Sequence, residues 1–333
     1  IVTTAAFDKL IQIHDIGEKI KTMLEPVNVE DTNMLMSISQ RIKELIISQD
    51  FPNEIKSEII EAYKKLSSVD KDVKSITNLT ESDAMFVAVR SSATAEDLPG
   101  ASFAGQQASF LNVKHEENLI EAVKKCWASL YEPRAIFYRR KHNFKNPSIA
   151  VVVQKMINSD KSGVIFTVDP ISGENVMIIE SIWGLGEYLV LGEISPDHYV
   201  VDKIGKVLLK KIGQKPIALV RDHVTGKSIQ IKTPGEKIGV QVLTDDEISK
   251  LVKYGKQLEE HYGKPQDVEF AIEQSNIMIV QTRPVTTKTK ITEGKMTGVK
   301  ILQGMGASLV VVTGKVKIVK NISEIVKNEE DDI

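Results

Sequence analysis

Cysteine is almost missing from this sequence: there is one, Cys126, in 333 residues. An internal disulfide is excluded, and the composition suits a reducing, cytoplasmic setting. Cys126 falls in the apolar spacing Ala122, Val123, Cys126, Leu130. That spacing predicts a packed thiol rather than a nucleophile. An excess of one charge is also lacking, since 43 Lys and Arg face 45 Asp and Glu for a net charge of −2. No general affinity for nucleic acid or another polyanion follows, so a phosphate site must be a local cluster of positive charge. No apolar stretch approaches the roughly 20 residues of a membrane span, and no membrane partner is expected. Neither GxxxxGK[ST] nor a complete GxGxxG occurs; WGLGEYLV carries only two glycines.

What is present divides the chain. Residues 7–66 carry apolar side chains at three- and four-residue spacing, as in FDKLIQIHDIGEKIKTML and TNMLMSISQRIKELI, and predict helices; Pro52 suits the first turn of a third. Strand signals begin at Met85–Val89, and residues 116–141 return to helix. From Ala150 the runs AVVVQKM, SGVIFTV, NVMIIES, HYVVDK and KVLLKKI are short and β-branched, and a helix is predicted over 245–263. Strands and helices without βαβ regularity predict an α+β class. The expected units are a helix-rich first lobe over 1–150, a strand-rich second lobe over 151–287, and a linker with part of a third unit over 288–333. The opening IVTTAAFDKL reads as the interior of a longer chain, so the first lobe is expected to be truncated.

The stretch DVEFAIEQSNIMIVQTRP predicts a hairpin turning at Gln274-Ser275-Asn276. Side chains in a strand alternate faces, so Asp267, Glu269 and Ala271 share one face, and Val268, Phe270 and Ile272 the other. On the return strand Ile277, Ile279, Gln281 and Arg283 are expected to share a face. Symmetry about Ser275 sets Glu269 opposite Gln281 and Asp267 opposite Arg283. A solvated face with a cross-strand ion pair accounts for such a cluster. So does a hard-cation site, since carboxylate and amide oxygens suit Mg²⁺ and an adjacent arginine suits phosphate. A second phosphate-suited feature is VAVRSSATAEDLPGASFAGQQ, in which Arg90 is expected to end a strand before a loop of small residues. Small residues let backbone N–H groups approach an anion.

Several motifs together, VAVRSSATAEDLPGASFAGQQASFLNV, SGVIFTVDPISG, WGLGE, SPDHYVVDK, HYGKPQDVEF and IVQTRPVT, resemble the ATP-binding domain of the phosphoenolpyruvate synthase family. Pyruvate phosphate dikinase and rifampicin phosphotransferase share that domain. The resemblance covers most of residues 84–287 and implies an ATP-grasp fold whose two lobes clamp ATP, with Mg²⁺ as cofactor. It implies Arg90 and Arg283 as catalytic, phosphate-binding arginines and Ala104, Gly105 and Gln106 as a loop over the phosphates. It further implies Gln154, Met156 and Ile157 at the adenine, Thr167 and Glu180 as nucleotide contacts with Glu180 on the ribose, and Glu269 and Gln281 as metal ligands.

The family passes the β-phosphate of ATP to a histidine on a swivelling domain, and makes phosphoenolpyruvate from pyruvate on a separate barrel. None of His14, His115, His142, His198, His223 and His261 stands in the family's T-x-H-A context. The acceptor and pyruvate itself are therefore expected outside this chain, which alone is expected to be inactive. In GMGASLVVVTGKVKIV, Leu309-Val310 stand where the family has Pro-Gly. The resemblance implies a homo-oligomeric parent. The alternatives are the ATP-binding part of a rifampicin phosphotransferase and a nucleotide-binding module without catalysis.

Overall fold

The helical spacing at the start of the chain folds as four helices. In the computed structural model, which describes residues 1–68, 84–94, 108–142, 144, 147–222 and 225–285, they are α1 (Thr4–Gln12), α2 (Ile16–Leu24), α3 (Thr32–Ile47) and α4 (Asn53–Ser68). The first periodic run is not one helix. A 3₁₀ turn at Ile13–Asp15, with Asp15 at φ 56°, breaks it, and Ile16 begins α2 fully buried. The Asp31 carboxylate caps α3 by accepting the Met34 N–H at 3.0 Å.

Three antiparallel strands follow, in the order β2-β1-β3: β1 (Val87–Ala93), β2 (Ser109–Val113) and β3 (Ile149–Lys155). Between β2 and β3 lie α5 (Glu116–Ser129) and α6 (Pro133–Lys141). They fill the stretch predicted helical over 116–141, in two pieces because Pro133 starts a new first turn. Val87, Val89, Ile149 and Val151 turn one face of this sheet into a core shared with the helices. There the Trp127 ring stacks on Phe51 with centroids 4.9 Å apart. Residue 150 lies inside β3, which pairs with β1.

The β-branched runs build a second sheet, in which every neighbouring pair is antiparallel. Its strands are β4 (Lys161–Phe166), β5 (Met177–Trp183), β6 (Asp197–Val201), β7 (Val207–Lys211), and, after a short α7 (Glu187–Val190) and a separate hairpin β8 (Ile217–Arg221) and β9 (Ser228–Lys232), β10 (Gln266–Glu273) and β11 (Asn276–Pro284). The order is β11-β10-β4-β5-β6-β7. Helix α8 (Asp245–Tyr262) lays Ile248, Leu251 and Val252 against Ile165, Ile179, Tyr199, Val268 and Phe270. A capping box between Thr244 and Glu247 starts α8, and Gly263 ends it at φ 64°. Gly163 is required on the core face: a Cβ there would lie 2.1 Å from the Glu180 carbonyl oxygen and 2.4 Å from the Phe270 ring. The β8–β9 hairpin reaches the first sheet, where Asn112 donates from Nδ2 to Ser228 Oγ at 2.9 Å.

One buried ion pair fixes the second unit. Asp197 and Lys215 are both 0% exposed and bonded to each other. The carboxylate also accepts the Gly213 N–H at 3.0 Å, the Val242 N–H at 2.7 Å and the Tyr199 hydroxyl at 3.1 Å. Antiparallel sheets with helices packed on them make the class α+β, as the sequence predicts. Among the described residues no helix is long and apolar enough to cross a membrane.

Candidate functional site

The hairpin β10–β11 is tighter than expected, and its register is corrected further along. The turn has two residues, Gln274 and Ser275, both with positive φ (48° and 70°), so Asn276 already belongs to β11 and pairs with Glu273. A bulge then places Val280 between Ile279, opposite Phe270, and Gln281, opposite Glu269. The bulge changes which face the strand presents. Ile277 and Ile279 pack against the second core with Phe270 and Ile272, not on a face with Gln281 and Arg283 as simple alternation predicts. Beyond the bulge the predicted pairs form: Glu269 faces Gln281, and Asp267 faces Arg283.

Arg90 approaches this hairpin from the other sheet. It does not end its strand. β1 continues through Ser91, Ser92 and Ala93, because β3 offers Val151, Ala150 and Ile149 as partners after β2 has dropped away. Arg90 therefore stands mid-strand on the face opposite the first core. Its Nη2 donates to Glu269 Oε2 at 2.7 Å and to Gln281 Oε1. A single nitrogen touching both oxygens means that the carboxylate and the amide converge on one point. The Arg90 and Glu269 side chains are 18% and 25% exposed. From the same face Gln154 donates from Nε2 to the carbonyl of the bulge residue Val280 at 3.2 Å. The two sheets thus meet through Arg90 and Gln154 on one side and the bulged hairpin on the other.

One row of residues crosses the second sheet on its non-core face. Pairing runs from Gln281 to Glu269, Val164, Glu180, His198 and Lys211, one residue from each of the six strands. With strands about 4.8 Å apart, Glu180 lies about 10 Å from Glu269 along the row. In the next row Arg283 donates from Nε to Asp267 Oδ2 at 2.8 Å. Burial pushes the Asp267 carboxyl above its ordinary value and the Glu269 charge adds to this, while Arg283 pulls against it.

The remaining expected residues fall unevenly. Met156 and Ile157 are half-buried just after β3, with the Met156 N–H on the Phe86 carbonyl at 2.9 Å. Thr167 is 0% exposed on the core side, and its hydroxyl accepts the Gln266 N–H at 2.8 Å, which braces β4 to β10. Ala104, Gly105 and Gln106 lie outside the described residues, as do residues 288–333 with Leu309 and Val310. His198 was not singled out by its sequence. Alternation in β6, with Asp197, Tyr199 and Val201 buried, puts it on the open face, but only pairing with β5 sets it against Glu180.

Known proteins resemble the chain over nearly its whole length. The sequence profile of the family described as "Pyruvate phosphate dikinase, AMP/ATP-binding domain" matches residues 1–300. A protein of Archaeoglobus fulgidus named "Probable phosphoenolpyruvate synthase" is 47% identical over 347 residues, covering 100% of this chain and 44% of that protein. One of Methanothermobacter thermautotrophicus with the same name is 42% identical, covering 100% of this chain and 48% of its own length. The "Phosphoenolpyruvate synthase" of Pyrococcus furiosus is 41% identical, covering 94% of this chain and 39% of its own length. The chain spans less than half the length of these relatives.

Proposed function

The chain belongs to the pyruvate phosphate dikinase AMP/ATP-binding domain family, and on that premise we propose that it is the nucleotide-binding part of a phosphoenolpyruvate synthase, holding Mg²⁺-ATP between its two sheets as an ATP-grasp clamp. The first lobe is residues 1–150, the second 151–287, and 288–333 begins a swivelling domain; two separate cores support a division into two lobes, although all of β3, Val151 included, packs with the first. The phosphate leaves for a histidine outside this chain, and pyruvate is met there also. Names and lengths of the relatives support that division of labour. The lone buried thiol, Cys126, fits a cytoplasmic setting.

One observation carries the reading: Glu269 and Gln281 direct two oxygens to one cation, the Arg90 nitrogen. A carboxylate and a neutral amide are hard oxygen donors, so the pair fits Mg²⁺, which takes few protein ligands and completes its shell with phosphate and water. When bound, the ion neutralises charge on the phosphate oxygens during transfer. Arg90 and Arg283 supply permanent charge for the phosphates. Asp267 holds Arg283 by Nε, which orients its guanidinium. Gln154, Met156 and Ile157 at the junction of the sheets take the base, and Glu180 takes the ribose. The distance along the row from Glu269 to Glu180 is comparable with that between the outer phosphates and the ribose of ATP.

The test is Glu269→Gln, which deletes the charge without opening a cavity. Mg²⁺-ATP affinity should fall about tenfold or more, while affinity for metal-free ATP should change far less. A merely solvated glutamate would alter both by under about 0.5 kcal/mol. Equal Mg²⁺-ATP affinity in both chains, measured by calorimetry, would return the hairpin to a structural ion pair.

A further inference from the structure

We propose that His198 is a positioning residue for Glu180 and so sets the chain's preference for a ribose over a deoxyribose nucleotide; this rests on the reading of Glu180 as the ribose contact. The strand pattern places the imidazole. On β6 the alternate residues Asp197, Tyr199 and Val201 are buried, and His198 lies on the non-core face directly opposite Glu180 of β5. His198 Nδ1 lies 3.0 Å from Glu180 Oε1, with the two side chains 21% and 22% exposed. A carboxylate has no proton to give, so Nδ1 carries the hydrogen and Glu180 accepts it. Among the described residues this is the hydrogen bond that the Glu180 side chain makes, through Oε1. One carboxylate oxygen is therefore held, which leaves the other for a ligand.

Asp169, on the loop between β4 and β5, stands near enough for the charge of His198 to act on its carboxyl. Burial pushes that carboxyl up. The hydrogen bonds from the Ser172 hydroxyl at 2.6 Å and from the Ile171 and Ser172 N–H groups, together with His198, outweigh burial and hold it below the ordinary range. Asp169 is anchored by its own loop. A hydrogen bond that fixes a carboxylate restricts its rotamers, and a hydroxyl partner then meets a preset acceptor instead of paying to order one. A ligand that lacks the hydroxyl gains nothing from that arrangement and leaves the acceptor unpaired.

The experiment compares binding of ATP, 2′-deoxy-ATP and 3′-deoxy-ATP, all with Mg²⁺, by calorimetry on the 333-residue chain and on Glu180→Gln, His198→Leu, His198→Ala and His198→Gln. Circular dichroism checks the fold of each. The chain itself should prefer ATP. Both His198→Leu and His198→Ala should lose most of that preference, several-fold in relative affinity, with the dependence on Mg²⁺ unchanged. His198→Gln should retain it, because its amide can still donate to Glu180. Loss of the preference in Glu180→Gln with its retention in His198→Leu and His198→Ala overturns this inference and leaves the ribose reading standing. No preference in the unaltered chain, or a preference that Glu180→Gln does not change, sinks the ribose reading and the positioning role with it.

Discussion

Replacing Arg90 by methionine should move metal affinity and nucleotide affinity in opposite directions. The Arg90 guanidinium and a divalent cation compete for the same two oxygens, Glu269 Oε2 and Gln281 Oε1. A hydrogen bond to a charged group contributes about 1.5–3 kcal/mol. Both ion-pair partners keep a fifth to a quarter of their side-chain surface in water, so the lower end applies. Binding of Mn²⁺ alone must displace this contact, and its removal should tighten Mn²⁺ by about 10- to 30-fold, each factor of ten being about 1.4 kcal/mol. Methionine retains an unbranched stem and makes no ion pair. Metal-free ATP should respond oppositely. The phosphates lose a permanent cation, and affinity should fall about tenfold or more. Electron paramagnetic resonance titration of free Mn²⁺ reads the first quantity and calorimetry the second. Unchanged or weaker Mn²⁺ binding in Arg90→Met would refute the shared point of convergence. Tighter Mn²⁺ with unchanged affinity for metal-free ATP would refute the phosphate role of Arg90 alone.

Away from the cleft, Lys215→Met should destabilise the fold by about 3–5 kcal/mol in urea denaturation, because the Asp197 carboxylate would remain buried without its cation; a loss under 1 kcal/mol would show that its three other donors suffice. The Cys126 thiol is pushed up to about 12 by burial from an ordinary 9.0. At pH 8 a thiol reagent should therefore label the native chain only at the rate of unfolding, and prompt labelling would contradict the packing. The sign for stability follows: the folded state withholds the thiolate, so this contribution is intact below pH 9 and is lost as pH rises from 9.0 towards about 12.

Much of the candidate site is legible in sequence because strands report their faces locally. Asp267 and Glu269 alternate with Val268 and Phe270, and the latter two are in the second core. The opposition of Glu269 to Gln281 is also correct, but for a reason that the sequence conceals. A three-residue turn centred on Ser275 and the observed two-residue turn differ by one residue in register, and the bulge at Val280 restores that residue before Gln281. Two opposite shifts cancel at the cleft and not at the tip, which is why Ile277 and Ile279 lie on the other face. Nothing in the run Ile277-Met278-Ile279-Val280 marks the bulge, since each residue is β-compatible or apolar. Its physical cause is burial: only with one residue inserted can the tip of β11 feed the core while Gln281 and Arg283 face the cleft.

Contacts between distant segments were beyond such reading. Arg90 and Glu269 are 179 positions apart, and the arginine reads locally as the end of a strand because β2 leaves the ladder there. The strand continues because β3 still pairs with it, and that continuation fixes Arg90 on the cleft face with Gln154 as its diagonal neighbour. The same limit hid His198, which takes its partner from β5 and whose own strand tells only which way it faces. Local alternation therefore supplies the faces, and long-range pairing supplies the chemistry. The row from Gln281 to His198 exists because three successive antiparallel pairings keep their register across β10, β4, β5 and β6, and the β10–β11 pairing recovers it beyond the bulge. A bulge between Glu269 and His198 on any of these strands would rotate one end of the row into the core. The bulge in β11 lies at the edge of the row, beside Gln281, where its effect is to bring that amide into line with Glu269.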